Sequence, residues 1–437
     1  MSQLTRRKFI KAAGAGILAS TAPIILNRAG AAPPSETVNM AVVGVGSRGS
    51  GHAGNFAGMK NSRLVAVCDV NSKRAEKIAA EESKEKGPVK AYSDFRRMLD
   101  VEGKNIDAVS IATCDHWHTP VALAAIMAGK HVYVEKPSSH TVHEANLLMK
   151  AAKKFNKCVQ HWTQRRSDAG HMAVKEAIKR GIIGECFMAK AINCQRRKKI
   201  GRAQPSNPPE GVNYDLWLGP APVVPFTKNR WRYKWHWFWD YGGGDIVNDG
   251  IHHLDLAVWG MDVDQQYPTE VVTSGGQLWY DDDHETPDTQ TITYIYPKVQ
   301  ILYEMRLWTP YGMDGHGNDA VFYGTEGWIE NKTLVRGDER IPIKPEDYGI
   351  EPMEGIFENF ITAVRNDDPS MLNSPIERGG VLAILCNLGN IGTRLGNAAL
   401  TYDCESQKIT KCSKDIDKAN AMLTKNYRKP YTLAYTG

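Results

Sequence analysis

Residues 38–49 read VNMAVVGVGSRG, and this stretch decides the fold. An apolar run rich in valine, Val38-Asn39-Met40-Ala41-Val42-Val43, leads without a break into Gly44-Val45-Gly46-Ser47-Arg48-Gly49. A GxGxxG spacing alone says little in a chain with 39 glycines. Its surroundings give it meaning: a small-residue, helix-like segment follows, then a second apolar run at residues 64–67, then Asp69. Each part has a task in a dinucleotide-binding unit. Gly44 permits the tight turn, Gly46 lets the backbone approach a pyrophosphate, and Gly49 lets helix and strand pack closely. Ser47 and Arg48 open the helix, whose N–H groups and positive dipole end favour an anion. Asp69 would accept the ribose hydroxyls and repel a 2′-phosphate, so NAD is expected rather than NADP, with Lys73 and Arg74 as nearby charges that oppose this preference.

Outward from this unit, residues 108–112 and 131–134 are two more strand-like runs separated by helical patterns, which predicts repeated βαβ units and a parallel sheet. The texture changes at about Cys158. Strand-like runs at residues 290–296 and 299–307 are joined by Pro-Lys, as in an antiparallel sheet. Apolar residues at 356, 357, 360, 361 and 364 form one helical face, and residues 382–395 read as another helix. The expected fold class is therefore α/β. A Rossmann dinucleotide-binding domain at residues 36–157 is followed, at residues 158–437, by an α/β domain with a large, mostly antiparallel open sheet.

The first 31 residues are set apart. Arg6-Arg7-Lys8 precedes a short, small-residue apolar run and Ala29-Gly30-Ala31, the pattern of a twin-arginine export signal, which predicts a periplasmic protein. The net charge is +5, and Arg6, Arg7, Lys8, Lys11 and Arg28, with no acid among them, account for all of it. The rest of the chain is neutral, which removes any general electrostatic case for nucleic acid or for membrane in the mature form. The basic run Arg196-Arg197-Lys198-Lys199 reads as a solvated loop. Eight cysteines without CxxC spacing argue against a disulfide framework and against a metal site; free thiols are expected, with Cys404 and Cys412 the pair to check.

Two polar clusters lie just past predicted strand ends, where open α/β sheets bind ligands: Ala112-Thr113-Cys114-Asp115-His116-Trp117-His118 and Val134-Glu135-Lys136-Pro137. Through these clusters the chain resembles the glucose-fructose oxidoreductase, inositol dehydrogenase and rhizopine catabolism family. GVGSRG, ATCDHWHTP, GKHVYVEKP, QHWTQRRS, GGGDIVNDGIHHLD and ENFITAVRNDDPS occur in order across nearly all of the chain after the signal. The resemblance implies a Rossmann domain, a second α/β domain with a large open sheet, and hydride exchange between a nicotinamide and a sugar, cyclitol or similar polyol. It also implies a homo-oligomer assembled through the C-terminal sheet, and cofactor contacts at Thr113, His118, Glu135 and Gln164.

Carried over by residue, the family's EKP lysine falls on Lys136 and the histidine of its Asp-x-Gly-x-His pattern on His252. A histidine suits the removal of a hydroxyl proton, and a lysine cation would stabilise the developing alkoxide. Asn248 stands where the family has aspartate. An amide takes no proton, so the base role falls on His252, with Asp249 or Asp245 nearby, Asp255 one turn later to orient it, and His253 as the alternative base. Just before, WRYKWHWFWDYGGG places aromatic rings at 231, 233, 235, 237, 239 and 241, the alternation of a strand. Most of that face is expected to be core, with Trp239 and Tyr241, and His236 and Asp240 from the other face, reaching the substrate; Arg165 is a further substrate candidate. The leading expectation is a sugar, glycoside or cyclitol dehydrogenase. The alternative is a glycoside hydrolase or lyase that oxidises its sugar transiently to a ketone and eliminates the glycosidic bond. The family members resembling this second class, N-acetylgalactosaminidases among them, lack the EKP lysine.

Overall fold

The computed structural model describes residues 36–437 except Asp314, so the stretch read as an export signal lies outside the described residues. Six parallel strands form the first sheet: β1 (Val38–Val43), β2 (Ser62–Cys68), β3 (Lys90–Tyr92), β4 (Ala108–Ile111), β5 (His131–Val134) and β6 (Val159–His161). Their order is β3-β2-β1-β4-β5-β6. The strand order reverses between β1 and β4, and in such a sheet the ligand crevice lies beyond the carboxyl ends at that point. β4 and β5 are buried along their whole length, as strands covered on both faces must be.

Two features differ from the expected domain division at 157. β6 lies past that boundary yet pairs with β5, Val132 opposite Val159. The amphipathic helix read from residues 353–365 exists as Ile356–Asn366, but it returns to the first sheet, where Ile356, Phe360 and Ile361 pack with Val38, Met40 and Val42. An apolar stripe shows that a helix is half-buried; it does not show against which sheet.

Ten strands form the second sheet: β7 (Cys186–Cys194), β8 (Glu270–Gly276), β9 (Thr289–Ile295), β10 (Gln300–Arg306), β11 (Asn318–Gly324), β12 (Gly327–Glu330), β13 (Thr333–Arg336), β14 (Glu339–Pro342), β15 (Ala399–Asp403) and β16 (Lys408–Cys412). They run in the order β14-β13-β12-β11-β7-β10-β9-β8-β15-β16, antiparallel except for β10 beside β7. Helices Ala169–Lys179, Ile251–Gly260 and Ile376–Arg394 cover one face, burying Ala177, Leu254 and Leu388 against Ala189, Tyr294 and Tyr303. β9 alternates buried and half-buried residues, so the other face is more open. All eight cysteines are free; Cys404 is exposed and Cys412 half-buried. Among the described residues no helix is long and apolar enough to cross a membrane.

Candidate active site

At the end of β1, Gly44 takes φ +83°, and a Cβ there would stand 2.7 Å from the Ala112 carbonyl oxygen. A Cβ on Gly49 would come within 1.7 Å of the Gly44 oxygen, so loop and helix meet backbone to backbone. Gly46 is different: its nearest neighbour would be the Arg74 guanidinium at 3.5 Å, which leaves open space before the first turn of helix Ser47–Gly58. Open space at a helix N-terminus suits a pyrophosphate. Asp69 directly follows β2; its Oδ2 accepts from the Val45 N–H at 3.0 Å and its Oδ1 from the Asn71 N–H at 2.8 Å. Burial raises its pKa, opposed by those N–H groups and by Arg74. This donor and acceptor set fits NAD: N–H groups and glycines for the phosphates, a carboxylate for the ribose.

These residues open onto a cleft of about 970 Å³ that also contains Ser47, Arg48, Thr113, His118 and Glu135. His118 ties the two strand ends together, its ring nitrogens 2.6 Å from the Pro137 oxygen and 3.1 Å from the Thr113 oxygen. Glu135 is buried, which works to raise its pKa, but His52, Lys136 and Arg48 hold it below the ordinary value. His52 Nε2 lies 3.4 Å and Arg48 Nε 3.5 Å from Glu135 Oε1.

Lys136 links the two parts of the fold. It follows β5 by two residues, and its ammonium donates to the backbone oxygen of Asn248 and lies 3.5 Å from Asn248 Oδ1. Asn248 sits in a π-helical turn, Ile246–Gly250, that opens helix Ile251–Gly260. Its Nδ2 donates to Tyr233 Oη at 2.6 Å and to Asp245 Oδ1 at 2.7 Å. His252 lies on the next turn, buried behind Asn248 and outside the cleft lining, with no hydrogen-bond partner on Nδ1 among the described residues. Burial first, then Lys136, His253 and Arg165, keep its pKa well below the usual value, so the ring is neutral, the form from which a base starts, while its surroundings oppose the imidazolium.

The aromatic segment is not a strand. Lys228–Arg230 and Arg232–Trp237 are 3₁₀ turns, and Arg232 takes φ +54°, which extended backbone does not allow. The chain then doubles back, the Gly244 N–H donating to the His236 oxygen at 3.0 Å. The expected division of the segment is therefore corrected. Trp231, Tyr233, Trp235 and His236 line the cleft. Tyr241 is fully buried against Trp217, ring centroids 4.6 Å apart. Trp239 stacks under the Arg394 guanidinium at 4.5 Å and Asp240 is exposed, both outside the cleft lining. His236 Nδ1 is 2.5 Å from the Tyr233 oxygen. A carbonyl only accepts, so Nδ1 carries the hydrogen and Nε2 the lone pair.

Several further expectations change. Gln164 and Arg165 stand in a 3₁₀ turn outside the cleft lining, Arg165 3.1 Å from His253 Nδ1. Asp255 does not orient His252, because the buried Arg166 guanidinium takes it at 2.7 Å and Asp264 at 2.6 Å. A buried cation needs such counter-ions. Asp245 is held by Arg197 at 3.0 Å, so one member of the supposed solvated run turns inward. Asp115, not singled out from sequence, begins helix Asp115–Met127 at the cleft wall, 1% exposed, with Oδ2 unpartnered. Burial pushes its pKa up to about 8 against the pull of Lys136 and the Gly243 N–H. Nothing in its local sequence signals this burial. Among the described residues no cluster of histidine, cysteine and carboxylate side chains could hold a metal ion.

Two family profiles match: "Oxidoreductase family, NAD-binding Rossmann fold" over residues 38–162 and "Oxidoreductase family, C-terminal alpha/beta domain" over residues 198–433. An α-N-acetylgalactosaminidase of Shewanella oneidensis is 28% identical over 213 residues, 44% of this chain and 46% of that protein. A glycosyl hydrolase family 109 protein of Shewanella sp. strain ANA-3 is 30% identical over 215 residues, again 44% and 46%. The chain thus spans about half the length of the curated relatives it matches. Among solved structures, the WlbA dehydrogenase of Bordetella pertussis with NADH and UDP-GlcNAcA is similar at TM-score 0.63 and 20% identity, covering 84% of this chain and 98% of that one. The myo-inositol dehydrogenase of Lactobacillus casei with NAD(H) and myo-inositol is similar at TM-score 0.59 and 18% identity, covering 84% and 97%. At such identities the likeness is one of fold.

Proposed function

The chain belongs to the glucose-fructose oxidoreductase, inositol dehydrogenase and rhizopine catabolism family of NAD-binding oxidoreductases, and from that premise we propose that it oxidises a hydroxyl-bearing carbon of a sugar, glycoside or cyclitol. The observation that supports this reading is the position of Lys136. Its ammonium stands where the glycine-loop side of the cleft meets the aromatic side, bonded to Asn248. The glycine loop and Asp69 would hold NAD, whose nicotinamide supplies the hydride acceptor when bound. Lys136 stabilises the oxygen that loses its proton, and neutral His252 accepts that proton. Trp231 and Trp235 offer flat apolar faces to the sugar ring.

The second reading, transient oxidation followed by elimination of a glycosidic bond, is favoured by the names of the curated relatives. Lys136 counts against that subgroup, whose resembling members lack the EKP lysine. The proposal also includes export, supported by Arg6-Arg7 and the run to Ala31, and assembly through the open face of the second sheet, near which Leu278 and Trp279 are exposed. The test is to incubate the purified protein with sugars and glycosides while following reduced nicotinamide and released products together. Ketone without cleavage supports dehydrogenation, cleavage without net reduction supports the glycosidase, and neither overturns both.

A further inference from the structure

Tyr233 is an aromatic residue whose exposure calls for a reason. It is 50% exposed, yet its ring and hydroxyl are both held by neighbours. Arg197 lies over one face at 5.8 Å, His236 packs against it at 4.6 Å between centroids, and Asn248 Nδ2 donates to its hydroxyl oxygen at 2.6 Å. A side chain held so firmly while facing a cleft is preorganised for what enters that cleft.

The orientation of the Asn248 amide follows from its neighbours. One side faces Asp245 Oδ1 at 2.7 Å, a carboxylate paired with Arg197 and therefore unable to donate. The other faces the Lys136 ammonium at 3.5 Å, which cannot accept. Only one placement of amide nitrogen and oxygen satisfies both. Nδ2 must donate to Asp245 and to Tyr233, and Tyr233 Oη must accept. The single Tyr233 hydroxyl hydrogen is then left over, since the hydroxyl makes no other hydrogen bond among the described residues. An aspartate at 248 would oppose Asp245 and could not donate to Tyr233. Asparagine at this position is therefore a bridge, and its two ends carry two donors that face the same cleft, Lys136 and Tyr233.

We propose that Tyr233 is a specificity-determining residue that donates a hydrogen bond to the substrate hydroxyl adjacent to the one held by Lys136, so that the site selects a vicinal diol, with Asn248 positioning both donors. Two donors at the ends of one amide suit two oxygens on neighbouring ring carbons. The inference rests on the sugar dehydrogenase reading.

The test uses the NAD-loaded protein, a sugar that it oxidises, and the monodeoxy analogues of that sugar, each assayed with the parent protein and with Tyr233→Phe. The variant keeps the ring and loses only the hydroxyl. kcat/KM of Tyr233→Phe should fall roughly tenfold, as for one lost hydrogen bond to a neutral group, with NAD affinity unchanged and Tm lowered, because the buried Asn248 N–H loses its acceptor. One deoxy analogue, lacking the hydroxyl beside the reacting carbon, should cost the parent a similar factor and the variant almost nothing, because both changes remove one bond. Losses that multiply for every analogue overturn the inference and leave the dehydrogenase reading standing. A parent protein that neither binds nor oxidises any sugar in the panel overturns that reading, and the inference with it.

Discussion

Lys136 and His252 are the residues on which the proposed chemistry depends, and both were legible because they sit in short motifs at fixed places in the chain. Replacing either by alanine should lower turnover by roughly 10²- to 10⁴-fold while NAD stays bound; a His252→Ala protein with near-normal turnover would move the base role to His236 or His253. The partners of these residues were less legible. Asp255 follows His252 by three residues, which puts both on one helical face, but Arg166, 89 residues away, claims it. Asp115 was hidden in a motif read for its histidines. Its carboxyl holds a proton in the native state that the unfolded chain, near the ordinary value of 3.8, gives up. Between about pH 4 and about pH 8 the unfolded state therefore binds fewer protons, and stability falls as pH rises across that window. Asp115→Asn removes this dependence, so its Tm relative to the parent should climb from pH 5 to pH 8. A difference that stays constant with pH would mean that Asp115 is ionised throughout.

The aromatic segment shows how a correct pattern can be assigned the wrong period. Rings at every second position are present in the sequence, but Phe238 belongs to the opposite set of that alternation and is 2% exposed. No strand pairs with the segment; 3₁₀ turns and the reversal at Gly242–Gly244 distribute the rings instead, some to the cleft and some to the core. The expected functional pair at the end of the segment is thereby exchanged for residues nearer its start. Trp235→Ala should raise the substrate KM and lower Tm less than the change at Trp237 does, because its ring is only partly buried. Trp237→Ala, which empties a site 2% exposed, should cost about 3–5 kcal/mol in denaturant unfolding. Equal effects of the two changes on KM and stability would contradict this division. The strands β1, β2, β4 and β5, by contrast, were readable, because buried parallel strands are short apolar runs whatever their neighbours; the largely exposed β3 was not, nor was the place of the three-residue β6 in this sheet.

The two sheets are joined by segments that no local pattern reveals, and the chain end is the clearest case. Lys425 Nζ bonds Glu144 at 2.9 Å, Tyr431 meets the edge of Trp117 at 5.5 Å, and Tyr435 meets Phe155 at 5.8 Å, partners on, or capping, helices of the first sheet. Between these anchors Arg428 bonds Asp215 at 2.6 Å and the Gly219 oxygen at 2.8 Å. Those partners belong to, or directly follow, the helical turn Tyr214–Leu218, whose Leu216 and Trp217 line the cleft. The tail thus holds one wall of the cleft in place, a wall that NAD bound beneath it would have to displace on leaving. On that placement the protein should purify with nicotinamide bound, keep it through dialysis, and melt at a lower temperature once stripped, since a ligand held only by the native state adds about 2.7 kcal/mol at a hundred times its Kd. Arg428→Ala should then release NAD faster. The Tm of the stripped protein should fall modestly: the ion pair is half in solvent, with Asp215 67% exposed, but the largely buried Arg428 side chain also gives up its bond to the Gly219 oxygen. Unchanged NAD dissociation in Arg428→Ala, measured by following loss of the bound nucleotide, would show that the wall is set by Trp217 packing alone.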